Sequence, residues 1–367
     1  MVQLLLMPSR AARLLMARAS ACILVLALMP AAAGASKPKP VAEITVPVLQ
    51  LEGGRKLVFD GSFSAERDIA VKRGFWKKLV DIVAGPPEFH YLVRPYSVVT
   101  DSQGRIIVTD PGAMGVHIFD VAQQKYKFIS RPEAKEALRS PQCVAVDKQD
   151  NIYVTDSDAG KIFVFEANGK LRRVIGSLKG GEGFFKRPTG IAVDSDGQRI
   201  YVTDTLRDKI FVMDMQGSVL QTFGKNGTGS GEFNYPTELR LDGQNLIVVD
   251  AMNFRVQVLD RSGAFQYAIG HVGDNRGDFF RPKGVGVDSE GHIYVVDGLY
   301  NVVQVFNREG VLLYYFGQEG TGFGDFRLPA GLFIDRNDRV FVVDSYNRRI
   351  QVFRYFGLTK QAAGDRQ

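Results

Sequence analysis

Runs of β-branched and aromatic residues, each about five long, recur down the chain between clusters of Gly, Asp, Asn and Pro. One stretch shows the pattern. Gly190-Ile191-Ala192-Val193-Asp194 leads through Ser195-Asp196-Gly197 to Ile200-Tyr201-Val202-Thr203-Asp204. Then come Ile210-Phe211-Val212-Met213 and Val219-Leu220-Gln221-Thr222-Phe223-Gly224. Each run has the length of a strand and each break has turn chemistry. The unit predicted is four short strands joined by tight turns.

The unit repeats. An anchor proline stands at Pro95, Pro141, Pro188, Pro236, Pro282 and Pro329, spaced 46 to 48 residues apart. Six residues after each comes an aspartate: Asp101, Asp147, Asp194, Asp242, Asp288 and Asp335. A second series follows at Asp110, Asp156, Asp204, Asp250, Asp297 and Asp344. Four strands per period of this length predict the blades of a β-propeller, because one blade cannot bury both of its faces alone. The fold expected is all-β: a six-bladed propeller of four-stranded antiparallel blades.

The series typified by Pro188-Thr189-Gly190-Ile191-Ala192-Val193-Asp194, with its following strands, resembles the NHL-repeat family of six-bladed β-propellers. The resemblance covers roughly residues 94–356 plus an N-terminal strand. It implies the fold strongly and the function weakly, since propellers host many unrelated activities.

The sixth repeat has no strand d after residue 356. Strand d elsewhere is framed by glycines seven apart, as in Gly217/Gly224 and Gly310/Gly317. The same frame occurs at Gly54/Gly61, so residues 54–61 are expected to complete the last blade and close the ring. Residues 36–53 are then a linker, 54–358 one propeller and 359–367 a flexible tail. Residues 62–93 are an insertion. Within it Phe75, Trp76, Leu79, Val80 and Val83 share one helical face, flanked by Lys72, Arg73, Lys77 and Lys78, which predicts a short helix over about 66–84. That helix is the only element through which membrane contact is expected.

Composition changes the picture at one end of the chain. The formal charge of the 367 residues is +6 and the pI near 9.1, which invites a nucleic-acid reading. Residues 1–35, however, hold three arginines and no acid. They end in an apolar run at 21–29 and small residues at 31–35. This is the pattern of a secretory signal peptide, with cleavage before Ser36. The run is too short to span a bilayer, which takes ~20 apolar residues. Cleavage lowers the charge to +3, and export to the periplasm or beyond argues against a nucleic-acid partner.

Candidate chemistry lies where the blades differ. The glycine-rich stretches Gly227-Thr228-Gly229-Ser230-Gly231 and Gly320-Thr321-Gly322-Phe323-Gly324 run into a strand rather than a helix, so they read as d–a connections and not phosphate loops. The repeated aspartates read as turn caps. Some NHL-type propellers resemble zinc lyases, with histidines from several blades around the axis. Here His90, His117, His271 and His292 occupy unmatched positions, and no metal, cofactor or catalytic residue is expected.

The innermost strand should carry small residues near the axis, and blade 4 breaks that row with Glu238 and Arg240, as blade 6 does with Phe333. The b–c loops carry Arg207, Lys209, Asn253, Arg255, Tyr300, Asn347, Arg348 and Arg349. The d–a loops add Arg94, Arg139, Arg187, Arg281 and Arg327 on the same face. Mixed charge with aromatics suits a protein- or peptide-binding surface. The leading expectation is therefore a monomeric, exported, non-enzymatic scaffold for a protein, peptide or ligand. The alternative is a hydrolase or lyase at the tunnel mouth, with or without a metal.

Overall fold

A computed structural model describes residues 47–69, 90–133 and 136–358. The expected leader, most of the expected helix and the expected tail lie outside the described residues. Among the described residues the elements are strands and single 3-10 turns, arranged as six sheets around an axis.

In blades 1 to 6 the innermost strand a is Ser97–Thr100, Pro141–Val146, Pro188–Asp194, Pro236–Asp242, Pro282–Val287 and Leu332–Ile334. Strand b is Ile106–Asp110, Ile152–Asp156, Arg199–Asp204, Asn245–Asp250, Ile293–Asp297 and Arg339–Asp344. Strand c is Gly115–Asp120, Lys161–Phe165, Lys209–Asp214, Arg255–Asp260, Val302–Phe306 and Arg349–Phe356. Strand d is Lys125–Ile129, Leu171–Ile175, Val219–Phe223, Phe265–Ile269 and Leu312–Phe316 in blades 1 to 5. All neighbours pair antiparallel in the order a-b-c-d.

Blade 6 is completed from the N-terminal side. Lys56–Phe63 pairs antiparallel with Arg349–Phe356, from Lys56 opposite Phe356 to Phe63 opposite Ile350. The closing strand thus sits two residues later at each end than 54–61. A fifth strand, Val48–Gln50, adds outside it in a stretch expected to be linker. Where the insertion enters and leaves, Ala65 bridges Tyr91 beside a 3-10 turn at Glu66–Asp68.

The core lies between blades. Tyr294, Val296, Val303 and Val305 of blade 5 pack with Leu332, Val340 and Val342 of blade 6, and the closing strand adds Leu57 and Phe59 to the same cluster. Each sheet buries both faces this way, which is why strand b is apolar almost throughout.

Near the axis the a strands approach backbone to backbone. A Cβ on Gly284 would lie 2.5 Å from the Leu332 nitrogen and 2.6 Å from the Ala330 oxygen. Both are main-chain atoms of the next blade and cannot swing aside. Gly284→Val should therefore lower stability by ~1–3 kcal/mol through overpacking. Chemical denaturation checks this, and an unchanged midpoint would mean that the blades tolerate being spread.

Candidate functional site

The two aspartate series have distinct tasks. The first caps the a–b turns: Asp101 accepts from the N–H groups of Gln103 and Arg105, and Asp335 from those of Asn337 and Arg339. The second ends strand b, fully buried, and reaches to the d–a loop. Asp110 accepts from Val93 at 2.6 Å and Arg94 at 2.9 Å, and Asp156 from Arg139 at 2.7 Å. Asp204 accepts from Arg187 at 2.9 Å and Asp344 from Arg327 at 2.8 Å, while Asp297 holds Phe280 and Arg281. The same contact sets the d–a arginines on one face, which we call the upper face. The carboxylates turn inward and the arginine side chains stay exposed.

Most predicted loop residues on that face fasten the loops themselves. Arg255 donates to Asp250 at 2.9 Å, to the Gly229 carbonyl at 2.7 Å and to that of Glu232 at 3.0 Å. Arg349 repeats this in blade 6 with Asp344 at 2.7 Å and the carbonyls of Thr321, Gly322 and Asp325. Asn253 and Asn347 each donate at 2.8 Å to a carbonyl of the glycine-rich stretch and to their own blade's aspartate. The Tyr300 hydroxyl donates to the Gly273 carbonyl at 2.7 Å. Arg207 pairs with Asp204 at 2.9 Å and covers the rings of Phe184 and Phe211. Lys209 is half-buried where strand c begins, and Arg348 is exposed with a positive φ of 55°.

Sequence reasoning missed the partners of these braces. Gln257, Gln304 and Gln351 stand at one offset, seven residues after the second aspartate. Each side chain donates to a d–a carbonyl, of Glu232 (2.7 Å), Asp278 (2.8 Å) and Asp325 (2.6 Å). Each also accepts from a glycine N–H of the same loop.

Glu238, Arg240 and Phe333 meet at the axis. Arg240 Nη2 lies 3.1 Å from Glu238 Oε1, and the carboxylate's other oxygen accepts from Cys143 Sγ of blade 2 at 3.3 Å. Arg240 also donates to the carbonyls of Val285 (3.4 Å) and Leu332 (3.2 Å), and its guanidinium lies 5.8 Å from the centre of the Phe333 ring. One arginine of blade 4 thus ties blades 5 and 6 across the axis. Burial raises the Glu238 pKa, opposed by the Arg240 charge and the Cys143 hydrogen bond. Burial and the Glu238 charge hold the Cys143 thiol far above its ordinary range, so it is a poor nucleophile.

A cavity opens on either side of this tie. The lower one, about 780 Å³, is ringed by a–b turns and floored by Phe333. Several of its basic groups are paired: Arg261 with Asp194, Arg339 with Asp335 and Lys148 with Asp196. The upper one, about 350 Å³, is lined by Arg94, Tyr96, Gln142, Arg281, Lys283 and Tyr346 among others. The Lys283 stem crosses Gly298, and its ammonium lies 5.4 Å from the centre of the Tyr96 ring. Arg94 leans on Tyr346, with a hydrogen bond of 3.3 Å to its hydroxyl. Burial, with the charges of Arg281 and Arg94, lowers the Lys283 pKa to about 8. Lys283 directly follows its anchor proline, where the other blades carry Tyr96, Gln142, Thr189, Thr237 and Ala330. It is the single charge in that row, a legible signal.

The four histidines do not converge. His117 meets Tyr126 and Asp110, His292 meets Asp288, His271 meets Asp278 and His90 meets Glu66. Among the described residues no three His, Cys, Asp or Glu side chains are grouped to hold a metal ion.

Comparison with known proteins agrees on the fold. The sequence model of the NHL repeat matches residues 326–353, and that of a six-bladed β-propeller family matches 138–222 and 193–254. Among solved structures, a streptogramin B lyase is similar at 15% identity, over 71% of this chain and 93% of that one, with a TM-score of 0.53. The virginiamycin B lyase of Staphylococcus aureus matches at 14%, over 71% and 95%, with a TM-score of 0.52. An auxiliary nutrient binding protein from Bacteroides thetaiotaomicron matches at 12%, over 73% and 70%, with a TM-score of 0.56. Identities this low establish the shared fold alone. No curated protein matches the sequence.

Proposed function

Because this chain is an NHL-type six-bladed β-propeller, we propose that it serves as an exported binding scaffold that takes its partner on the upper face, at the mouth of the central channel. The observation that carries the reading is the unequal pairing of charge. On the upper face the carboxylates of the second series are buried and bonded to backbone, while the side chains of Arg94, Arg139, Arg187, Arg281 and Arg327 project into solvent. Exposed arginines beside aromatic side chains are the usual anchors of a recognition surface. The leader supports delivery outside the cytoplasm, where a peptide or the surface of another exported protein is the partner expected.

Affinity capture from the envelope fraction tests this. The recovered protein should begin at Ser36, and Arg94→Glu/Arg281→Glu should lose a partner that Arg336→Glu, on the lower rim, retains. Equal capture by all three proteins would remove the upper face from consideration.

A further inference from the structure

We propose that the upper cavity is an oxyanion site in which Lys283, Arg281 and Arg94 converge on a ligand group bearing more than one negative charge. The proposal deepens the binding reading above and rests on it for the choice of face.

Three cations line one cavity of about 350 Å³. Among the described residues neither Lys283 nor Arg281 has a carboxylate partner, and Arg94 has only the hydroxyl and ring of Tyr346. Nearby acids do not balance them from within. Asp110, Asp297 and Asp344 are fully buried behind the loops and hold backbone N–H groups. Glu238 lies deeper at the axis and faces Arg240. Like charges held this close repel one another, and a multivalent anion relieves all three contacts at once. Arginine offers planar, bidentate donors and lysine a point charge, a combination suited to phosphate or clustered carboxylates. Tyr96 and Tyr346 supply walls for the ligand's body. A single carboxylate would leave most of the repulsion in place.

The lysine adds a pH signature. With its pKa lowered to about 8 by burial and by Arg281 and Arg94, it is partly neutral just above that pH. A bound anion favours the ammonium, so binding takes up protons near pH 8 and weakens as pH rises further.

Calorimetric titration of the mature protein with inorganic phosphate, citrate and acetate tests the site. Phosphate or citrate should bind and acetate should not, and which of the two is tighter identifies the ligand as a phosphoryl compound or a polycarboxylate. Proton uptake, read from buffers of different ionisation heat at pH 8, should vanish in Lys283→Met. That variant and the exposed Arg281→Ala should each weaken binding roughly tenfold or more. Absence of binding by both multivalent anions, or binding indifferent to both variants, overturns the proposal. If no small anion binds while Arg94→Glu/Arg281→Glu still abolishes capture, the oxyanion site falls and the binding face stands. If anions bind as expected while capture is insensitive to that double variant, the face falls and the site stands.

Discussion

Deletion of residues 36–62 should leave a chain that no longer unfolds cooperatively. The closing strand Lys56–Phe63 covers strand c of blade 6 along its length and contributes Leu57 and Phe59, 2% and 7% exposed, to the cluster between blades 5 and 6. Arg55 adds an ion pair of 2.8 Å with Glu290 in the a–b turn of blade 5. Two large buried side chains lost together cost several kcal/mol by the usual ~2–5 kcal/mol per site. Loss of the strand also bares the edge of Arg349–Phe356, a ready template for association. Against a typical total stability of about 5–15 kcal/mol this is decisive. Circular dichroism melts check it, and Phe59→Ala, expected to cost ~3–5 kcal/mol, isolates packing from pairing. A deletion with an unshifted melt would mean that the ring is held by blade contacts alone.

The second large effect is expected at the axis. Arg240→Met leaves Glu238, 1% exposed, without its counter-charge and should destabilise by ~3–5 kcal/mol, the cost of stranding one member of a buried pair. The double variant Glu238→Gln/Arg240→Met should recover much of that loss, since replacing both charges is far milder than removing one. The sign of the pH dependence follows from the raised Glu238 pKa. A carboxyl raised in the folded state contributes stability that is complete below its ordinary pKa and is lost as pH rises through the folded value. The Arg240→Met deficit should therefore shrink toward acid pH, where Glu238 takes a proton, and Glu238→Gln should gain on the wild type as pH rises. Denaturant titrations at several pH values measure both. A deficit independent of pH would show that Arg240 acts through its bonds to Val285 and Leu332 and not through charge.

The ring was legible in the sequence because each repeated residue has one geometric task. The first aspartate caps the a–b turn and the second staples the d–a loop, so sequence period and structural period coincide. The closing strand was legible from its glycine frame, but its limits were not. A bulge between Phe59 and Gly61 lets pairing continue past the glycine read as its end. Val48–Gln50 is too short to show any periodicity. Glu238 and Arg240 were visible because they interrupt a row of small side chains. The loop residues show a repeated setting instead. Arg255 and Arg349 both lie five residues after an aspartate, and a residue repeated at one offset fastens its own blade. Lys283 breaks the neighbouring row, one residue after the anchor proline, in the same way.

The closing strand also sets a delay. Asp60 and Arg354, paired across it, are 294 residues apart in the chain. At ~5–20 residues per second, a ribosome makes the partner of Leu57-Val58-Phe59 roughly 15–60 s after that segment itself. Throughout that interval the edge of a β-prone apolar triplet that faces Arg349–Phe356 is without its partner. Lys56 and Asp60 bracket it directly, one charge of each sign, and both stay clear of the core once folded. Charges flanking an apolar strand are the pattern of gatekeepers, which keep such a segment from foreign strand edges.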